Sequence, residues 1–218
     1  MQDFKTFIEE GRNDPAIFHA IFMAGGPGSG KSWVSKSLGL RALGYVEINS
    51  DRAFEMGMKK SLLSLRMPDN EKFPRDIVRG LAKKTTMAKQ GHAVEGRLGM
   101  VIDGTGSDIA KVKKMKKQLE LLGYETAMVF VNTSLDVAIE RDDMRSRSLG
   151  PKMVTKLWAD VQTNTIKYHK LFGKNLHKID NSNAESTHKY INKAYTKIMT
   201  WSKKLPENPA VINWMNET

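Results

Sequence analysis

The chain has 218 residues, of which 40% are hydrophobic and 27% are charged, a composition typical of a folded globular protein rather than a disordered one. It contains no cysteine, which excludes disulfide bonds, thiolate metal sites and cysteine nucleophiles. The formal net charge of +11 favours an anionic partner, and nucleic acid is the leading expectation, with a lysine-rich solvated surface as the alternative. No apolar run is long enough to span a membrane and MQDFKTFIEE does not resemble a signal peptide, so we expect a cytoplasmic protein with no membrane partner.

Short apolar segments alternate with helical patterns along the chain, and we expect them to form a single domain. Strands are predicted at residues 17–24, 45–49, 99–103, 126–132 and 176–180. Helical patterns cover residues 2–11, 31–43, 51–66, 75–96, 109–122, 135–147, 152–171 and 185–204. The helix at 75–96 is expected to face inward with Val78, Leu81, Ala82, Thr85 and Ala88. The helix at 185–204 is expected to face inward with Tyr190, Ile191, Ala194, Ile198 and Trp201. Residues 205–218 predict an irregular tail, with Trp214 packed back onto the protein. This alternation predicts a doubly wound α/β fold, with a parallel sheet of about five strands and helices on both faces.

A glycine-rich loop lies between the first predicted strand and the helix after it. Residues 25–32, GGPGSGKS, match the phosphate-binding pattern G-x-x-x-x-G-K-[ST] in full. Glycines allow backbone N–H groups to surround phosphate oxygens, the lysine reaches the β and γ phosphates, and the serine hydroxyl ligates Mg²⁺. We therefore expect ATP and Mg²⁺ to bind here, through Gly26, Gly28, Ser29, Gly30, Lys31, Ser32 and Trp33, with Lys31 also catalytic.

Binding a triphosphate does not by itself identify the acceptor of the phosphoryl group. Water as the acceptor defines an ATPase or GTPase, whereas an alcohol defines a kinase. The chain has no guanine-reading N-K-x-D segment, which argues against a GTPase. The strand GMVID ends in Asp103, as do strands that position water in ATPases, so this alternative stays open.

Two carboxylates follow predicted strands at the edge of the sheet where open α/β folds bind their ligands. Asp51, in INSDRAFE, can accept the proton of an attacking hydroxyl, or it can cap the next helix. Asp103, in IDGTG, can reach the metal or the acceptor, or it can form a turn. We expect Arg52, Asp103 and Thr105 to contact the acceptor substrate, and Ser32 and Asp103 to hold the metal.

An arginine-rich segment follows the fourth strand, where small P-loop kinases place a mobile lid. Arg141, Arg145 and Arg147 are expected on roughly one helical face within a lid of residues 139–152. There Arg141 and Arg145 stabilise charge on the moving phosphoryl group and Arg147 binds substrate. The alternative is a solvated face tied by Asp142 and Asp143. The five histidines show no paired spacing that predicts a metal site.

The chain resembles a group of kinases with the P-loop NTPase fold over residues 17 to about 180. The segments that carry the resemblance are, in order, AGGPGSGKS, INSD, DGT and FVNTSLDVAIERDDMRSR. This group includes the zeta-toxin-like proteins and the kinase domain of phage polynucleotide kinase. The resemblance implies ATP with Mg²⁺, Asp51 as the base that deprotonates a hydroxyl, and phosphate contacts from arginines among 141, 145 and 147. One position departs from the polynucleotide kinases, which usually carry an arginine three residues after the base; here that residue is Phe54, and Arg52 is the nearest arginine.

The leading function is therefore an ATP-dependent kinase that phosphorylates a hydroxyl on nucleic acid. The acceptor is either a 5′-hydroxyl end or, as in related phage kinases, a hydroxymethylated pyrimidine in DNA. The first alternative is a zeta-toxin-like kinase of a small metabolite such as a nucleotide or nucleotide sugar. The second is a nucleotide-gated binding protein that transfers no phosphoryl group.

Overall fold

The computed structural model describes residue Asp14 and residues 16–104, 106–145 and 147–217. A five-stranded sheet forms its centre, with strand order β2-β3-β1-β4-β5 and every neighbouring pair parallel. The strands are β1 His19–Ala24, β2 Val46–Ile48, β3 Met100–Asp103, β4 Glu125–Asn132 and β5 Leu176–Asp180. Each predicted strand is present, and the predicted α/β P-loop fold is confirmed.

Helices connect the strands and cover the sheet. Before β3 come α1 Lys31–Ser37, α2 Ser50–Lys60, a 3-10 turn Asp69–Glu71 and α3 Lys72–Glu95. Between β3 and β5 come α4 Ile109–Leu121, α5 Leu135–Asp143, α6 Pro151–Thr163, α7 Thr165–Phe172 and a 3-10 turn Gly173–Asn175. The chain ends with α8 Ala184–Ser202 and α9 Pro209–Glu217.

The core lies on both faces of the sheet. Successive residues of a strand point to opposite faces, so Phe22 of β1 packs with Tyr168 of α7, whereas Ile21 packs with Val34 of α1 and Ile198 of α8. All of β1 is buried. Burial on both faces explains why the central strands β1 and β4 are largely apolar runs in the sequence.

Helices α2 and α3 form a separate pair beside the edge strand β2. Phe54 and Met58 of α2 pack against Val78 and Ala82 of α3 as a third apolar cluster. The predicted inward face of α3 was too wide, because Leu81 is 58% exposed where α3 packs on one helix instead of the sheet. This pairing projects the start of α2 beside the carboxyl ends of the central strands.

Three predictions at the carboxyl-terminal end were wrong. The helix predicted at 152–171 is divided at Asn164, whose side-chain amide donates to the Ser107 carbonyl at 2.8 Å. The tail predicted to be irregular contains helix α9. The packing of Trp214 is confirmed, since its ring meets Phe18 edge-on at 5.4 Å between centroids. Tyr190, expected inward, is 42% exposed.

The predicted helix at residues 2–11 lies outside the described residues. No helix in the described part of the chain is long and apolar enough to cross a membrane.

Candidate active site

The glycine-rich loop wraps around the ammonium group of Lys31, the first residue of α1. Lys31 Nζ donates to the carbonyl oxygens of Gly25 at 2.8 Å and Gly26 at 3.2 Å. Burial lowers the pKa of Lys31, while the nearby charge of Asp103 acts in the opposite direction. These two hydrogen bonds hold the lysine side chain within the loop.

Neighbouring groups approach the loop so closely that neither Gly28 nor Gly30 has room for a side chain. Gly28 has φ +72° and Gly30 has φ +85°, a conformation that side chains disfavour. A Cβ at Gly28 would collide with the carbonyl oxygen of Ala138 in α5, and one at Gly30 would collide with the side-chain amide of Asn181. The loop is therefore shaped by α5 and by the segment after β5, as well as by its own sequence.

Asn181, directly after β5, ties the loop to the arginine-rich segment. Its side-chain amide donates to the Ser29 carbonyl at 2.8 Å, and its own carbonyl accepts from Arg141 Nη1 at 2.9 Å. Sequence reasoning missed Asn181, although it follows a strand at the same sheet edge as Asp51 and Asp103. Open α/β sheets bind their ligands at the carboxyl ends of the strands, and this rule, applied to the fifth strand, would have selected Asn181.

Asp51 lies in the first turn of α2, and the helix cap is its neighbour Asn49. The Asn49 side-chain oxygen accepts from the Asp51 backbone N–H at 2.7 Å. The Asp51 side chain is 61% exposed and so remains open to a substrate. Its charge also acts on Lys31, which places the carboxylate near the phosphate loop.

Asp103 ends β3, next to Met23 in the neighbouring strand β1. Its Oδ2 accepts from the Asn49 side-chain amide at 2.8 Å, and its buried Oδ1 has no hydrogen-bond partner among the described residues. Burial raises the pKa of Asp103, and the charge of Lys31 lowers it by a smaller amount. An unpaired carboxylate oxygen beside the lysine is suited to a cation or a donor group supplied by a ligand.

The sequence predicted that the three arginines after β4 share one helical face. The structure shows that they do not. Helix α5 ends at Asp143, so only Arg141 lies within it, whereas Arg145 and Arg147 lie in the following loop. Arg145 Nη1 is 3.9 Å from the Asp142 carboxylate. Arg147 Nη2 is 3.5 Å from Asp51 Oδ1. The arginine-rich segment thus connects the phosphate loop, through Asn181, to the carboxylate of Asp51.

Buried Asp142 is the reason that the helix ends and the loop turns back. Its Oδ2 accepts from the Ser148 hydroxyl at 2.9 Å and from the backbone N–H groups of Leu149 at 2.7 Å and Gly150 at 3.2 Å. The side chain is 1% exposed. The alternative of a solvated face tied by Asp142 and Asp143 is wrong for Asp142, because the pattern of charges does not show which carboxylate turns inward.

The remaining predicted residues are more scattered. Ser32 is exposed in the first turn of α1, and Arg52 is exposed next to Asp51. The Trp33 ring meets His188 of α8 edge-on, with centroids 6.1 Å apart. Thr105 lies outside the described residues.

The site fits a nucleotide with Mg²⁺. The Ser32 hydroxyl and the Asp103 carboxylate are oxygen ligands of the type that Mg²⁺ prefers, and Lys31 can pair with phosphate charge. The described residues contain no cluster of three or more histidine, aspartate or glutamate side chains that could hold a metal ion. Mg²⁺ commonly completes its coordination with phosphate oxygens and water, which agrees with this donor set.

The fold is shared with known kinases. The gluconokinase from Sinorhizobium meliloti 1021 is 15% identical, with a TM-score of 0.52 over 84% of this chain and 95% of that chain. A chain from the PezAT chromosomal toxin-antitoxin system of Streptococcus pneumoniae is 14% identical, with a TM-score of 0.54 over 100% of this chain and 98% of that chain. Comparison with curated proteins finds no match.

Sequence comparison with protein families gives the identification. The model of the zeta toxin family matches residues 8–202, which includes the phosphate loop, Asp51, Asp103 and the arginine-rich segment. The chain therefore belongs to the zeta toxin family, and it is a phosphotransferase of the P-loop kinase type.

Proposed function

We propose that this protein transfers the γ-phosphate of ATP to a hydroxyl group of a small anionic acceptor, of the nucleotide or nucleotide-sugar class. The observation that carries the proposal is the position of Asp51. Its exposed carboxylate interacts electrostatically with Lys31 of the phosphate loop and lies 3.5 Å from Arg147. Under this proposal the three side chains act together, Asp51 as the base, Lys31 on the ATP phosphates and Arg147 on the acceptor.

The chemistry assigned to these residues is an in-line phosphoryl transfer. Asp51 accepts the proton of the acceptor hydroxyl while the new O–P bond forms and the bond to the ADP leaving group breaks. Lys31, Arg141 and Arg145 neutralise charge on the phosphate oxygens. Ser32 and Asp103 would hold Mg²⁺, which would supply further neutralisation of phosphate charge.

The distribution of lysines favours a small acceptor over nucleic acid. Exposed Lys113, Lys114 and Lys117 lie on α4, which covers one face of the sheet. Exposed lysines of α8, such as Lys189 and Lys193, lie on the helix that covers the opposite face. Helices on opposite faces cannot line one groove, so these five lysines do not form a single nucleic-acid track.

Nucleic acid is the second candidate acceptor, supported by the net charge of +11. A 5′-hydroxyl end or a hydroxymethylated base would place an alcohol at Asp51 in the same way. Binding of this kind weakens as salt increases, because phosphate contacts release counterions.

Transfer of labelled γ-phosphate from ATP to a panel of acceptors tests the proposal. The panel contains nucleoside phosphates, nucleotide sugars, neutral sugars, 5′-hydroxyl DNA and RNA, and DNA with hydroxymethylated pyrimidines, with water as the blank. We expect label on a nucleotide or nucleotide sugar. Label on DNA or RNA alone would establish the second candidate, and release of phosphate to water alone would refute transfer to an alcohol.

A further inference from the structure

Asn49 lies between the two carboxylates of the site and hydrogen-bonds to both of these residues. It follows strand β2, whose Ile48 is paired with Ile102 of β3, so Asn49 and Asp103 occupy the next positions of two neighbouring parallel segments. The Asn49 side-chain amide donates to Asp103 Oδ2 at 2.8 Å, and its side-chain oxygen accepts from the Asp51 backbone N–H at 2.7 Å. One side chain thus joins the end of β3 to the first turn of α2.

The bond to Asn49 leaves one oxygen of Asp103 available. Oδ2 accepts from the Asn49 amide, whereas Oδ1 is buried and has no hydrogen-bond partner among the described residues. Buried polar atoms are normally paired, so an unpaired carboxylate oxygen at this edge of the sheet indicates a partner that a ligand supplies. A side chain that hydrogen-bonds to a metal-binding carboxylate fixes the orientation of that carboxylate. Asn49 stands in this relation to Asp103.

The same side chain also fixes the helix that carries Asp51. Asn49 has an extended backbone, with φ −145° and ψ 122°, and it caps α2 through the Asp51 N–H. Phe54 and Met58 of α2 belong to the apolar cluster shared with α3, rather than to either cluster on the faces of the sheet. The bond from Asn49 to Asp103 is therefore a direct polar tie between the start of α2 and the central strands.

Asparagine suits this position because its side chain has a separate acceptor and donor. Serine here would still cap α2, since serine and asparagine are comparable residues at a helix N-cap. The serine side chain lacks the amide nitrogen that makes the contact with Asp103. Replacing Asn49 by serine therefore separates the contact with Asp103 from the helix cap.

We propose that Asn49 is a positioning residue, which holds the Asp103 carboxylate and the first turn of α2 in one arrangement. Asp103 Oδ1 is thereby kept free for Mg²⁺, and Asp51 is kept close enough for the two carboxylates to interact electrostatically. The inference rests on the proposed function, in which Asp103 would hold the metal and Asp51 is the base. It assigns Asn49 a role that is exerted through those two residues.

Binding of ATP with and without Mg²⁺ tests this role without depending on turnover. Calorimetry would measure the Kd of a non-hydrolysable ATP analogue in Mg²⁺ and in EDTA, and the ratio of the two values is the gain in affinity due to the metal. The test variant is Asn49→Ser. The matched control is Asn208→Ser, because the Asn208 side chain also caps a helix, α9, and its amide donates to the Gly123 carbonyl at 3.0 Å, at the opposite end of the sheet.

We expect Asn49→Ser to lower the gain due to Mg²⁺ about 10-fold and to leave binding in EDTA unchanged, as for the loss of a group that orients a metal ligand. Asn208→Ser should change neither value. Asp103→Asn should also lower the gain, and adding Asn49→Ser to it should lower the gain no further, because the two side chains act as one unit.

Stability and turnover provide two further readouts. The denaturation midpoint of Asn49→Ser should fall no more than that of Asn208→Ser, since each variant keeps a helix cap and loses one amide contact. Asn49→Ser should lower kcat about 100-fold, because a displacement of about 1 Å in a positioned group can have that effect on a rate. Asn208→Ser should retain the wild-type kcat.

An unchanged gain in Asn49→Ser, an equal loss in EDTA and in Mg²⁺, an equal loss in Asn208→Ser, or additive effects with Asp103→Asn would each overturn this inference. The proposed function fails differently. If Asn49→Ser lowers the gain due to Mg²⁺ and yet the wild-type protein transfers phosphate to no acceptor, the positioning of Asp103 stands and the transfer reaction does not.

Discussion

The buried carboxylate of Asp142 provides the sharpest test of how the arginine-rich segment is held. Asp142→Ala removes the acceptor of three hydrogen bonds, from the Ser148 hydroxyl and from the N–H groups of Leu149 and Gly150. Hydrogen bonds to a charged group contribute about 1.5–3 kcal/mol each when buried. Ser148 is exposed and Leu149 is 36% exposed, so water replaces part of this interaction. We expect the free energy of unfolding to fall by about 2–3 kcal/mol in total.

The effect on turnover should be larger than the effect on stability implies. The loop that Asp142 orders carries Arg145 and Arg147, and a displacement of about 1 Å in a positioned group can lower a rate about 100-fold. Chemical denaturation and initial rates of phosphate transfer would be measured for Asp142→Ala and for Asp143→Ala, its exposed neighbour. The reasoning is refuted if the two variants match in denaturation midpoint and kcat. A loss of stability with unchanged kcat would show that the loop does not position groups for transfer.

Three further predictions concern the base, the phosphate loop and the response to pH. Asp51→Asn should lower kcat about 100- to 10,000-fold, because it removes the general base. The control Glu55→Gln, one turn along α2, should leave kcat unchanged. A wild-type kcat in Asp51→Asn would show that Asp51 is not the base. Gly28→Ala should abolish ATP binding in a titration, because the added Cβ would collide with the backbone of Ala138. The control Gly39→Ala should retain binding, because Gly39 has a similar positive φ but open space around it. Equal binding by both variants would contradict the steric argument. Burial lowers the pKa of His177 to about 4, so the unfolded chain binds more protons below pH 6.5 and the folded state loses stability as pH falls from 6.5 to 4. His177→Gln should remove up to about 3 kcal/mol of that loss, and parallel denaturation curves for the two proteins at pH 7 and pH 4 would show that the histidine is not responsible.

The local sequence predicted those features that depend on near neighbours in the chain. Residues 25–32 predicted a phosphate loop because glycines, a lysine and a serine at fixed spacing suffice to build one. Apolar runs predicted the central strands β1 and β4, since burial on both faces imposes that pattern, and the shorter strands followed from their place between helical patterns. Asp51 and Asp103 could be selected because the carboxyl ends of parallel strands meet at one edge.

The sequence failed where two segments distant in the chain compete for one side chain. It could not show that Asn49 caps α2 and also donates to Asp103, 54 residues away, which leaves Asp51 open. It extended the helix after β4 through residue 147, because helical periodicity contains no sign that Asp142 turns inward and binds the following loop. The three arginines were therefore placed on one face, although they contact three different groups.

By itself, then, the sequence determined the fold, the phosphate loop and the carboxylates at the edge of the sheet, because each follows from local pattern and from one general rule of parallel sheets. Only the tertiary structure decided which cations lie beside Asp51. Arg79 belongs to a long helix with no motif, and it reaches Phe54 only because α3 packs against α2 beside the sheet. Such a meeting depends on the packing of whole elements, and no spacing along the chain encodes it.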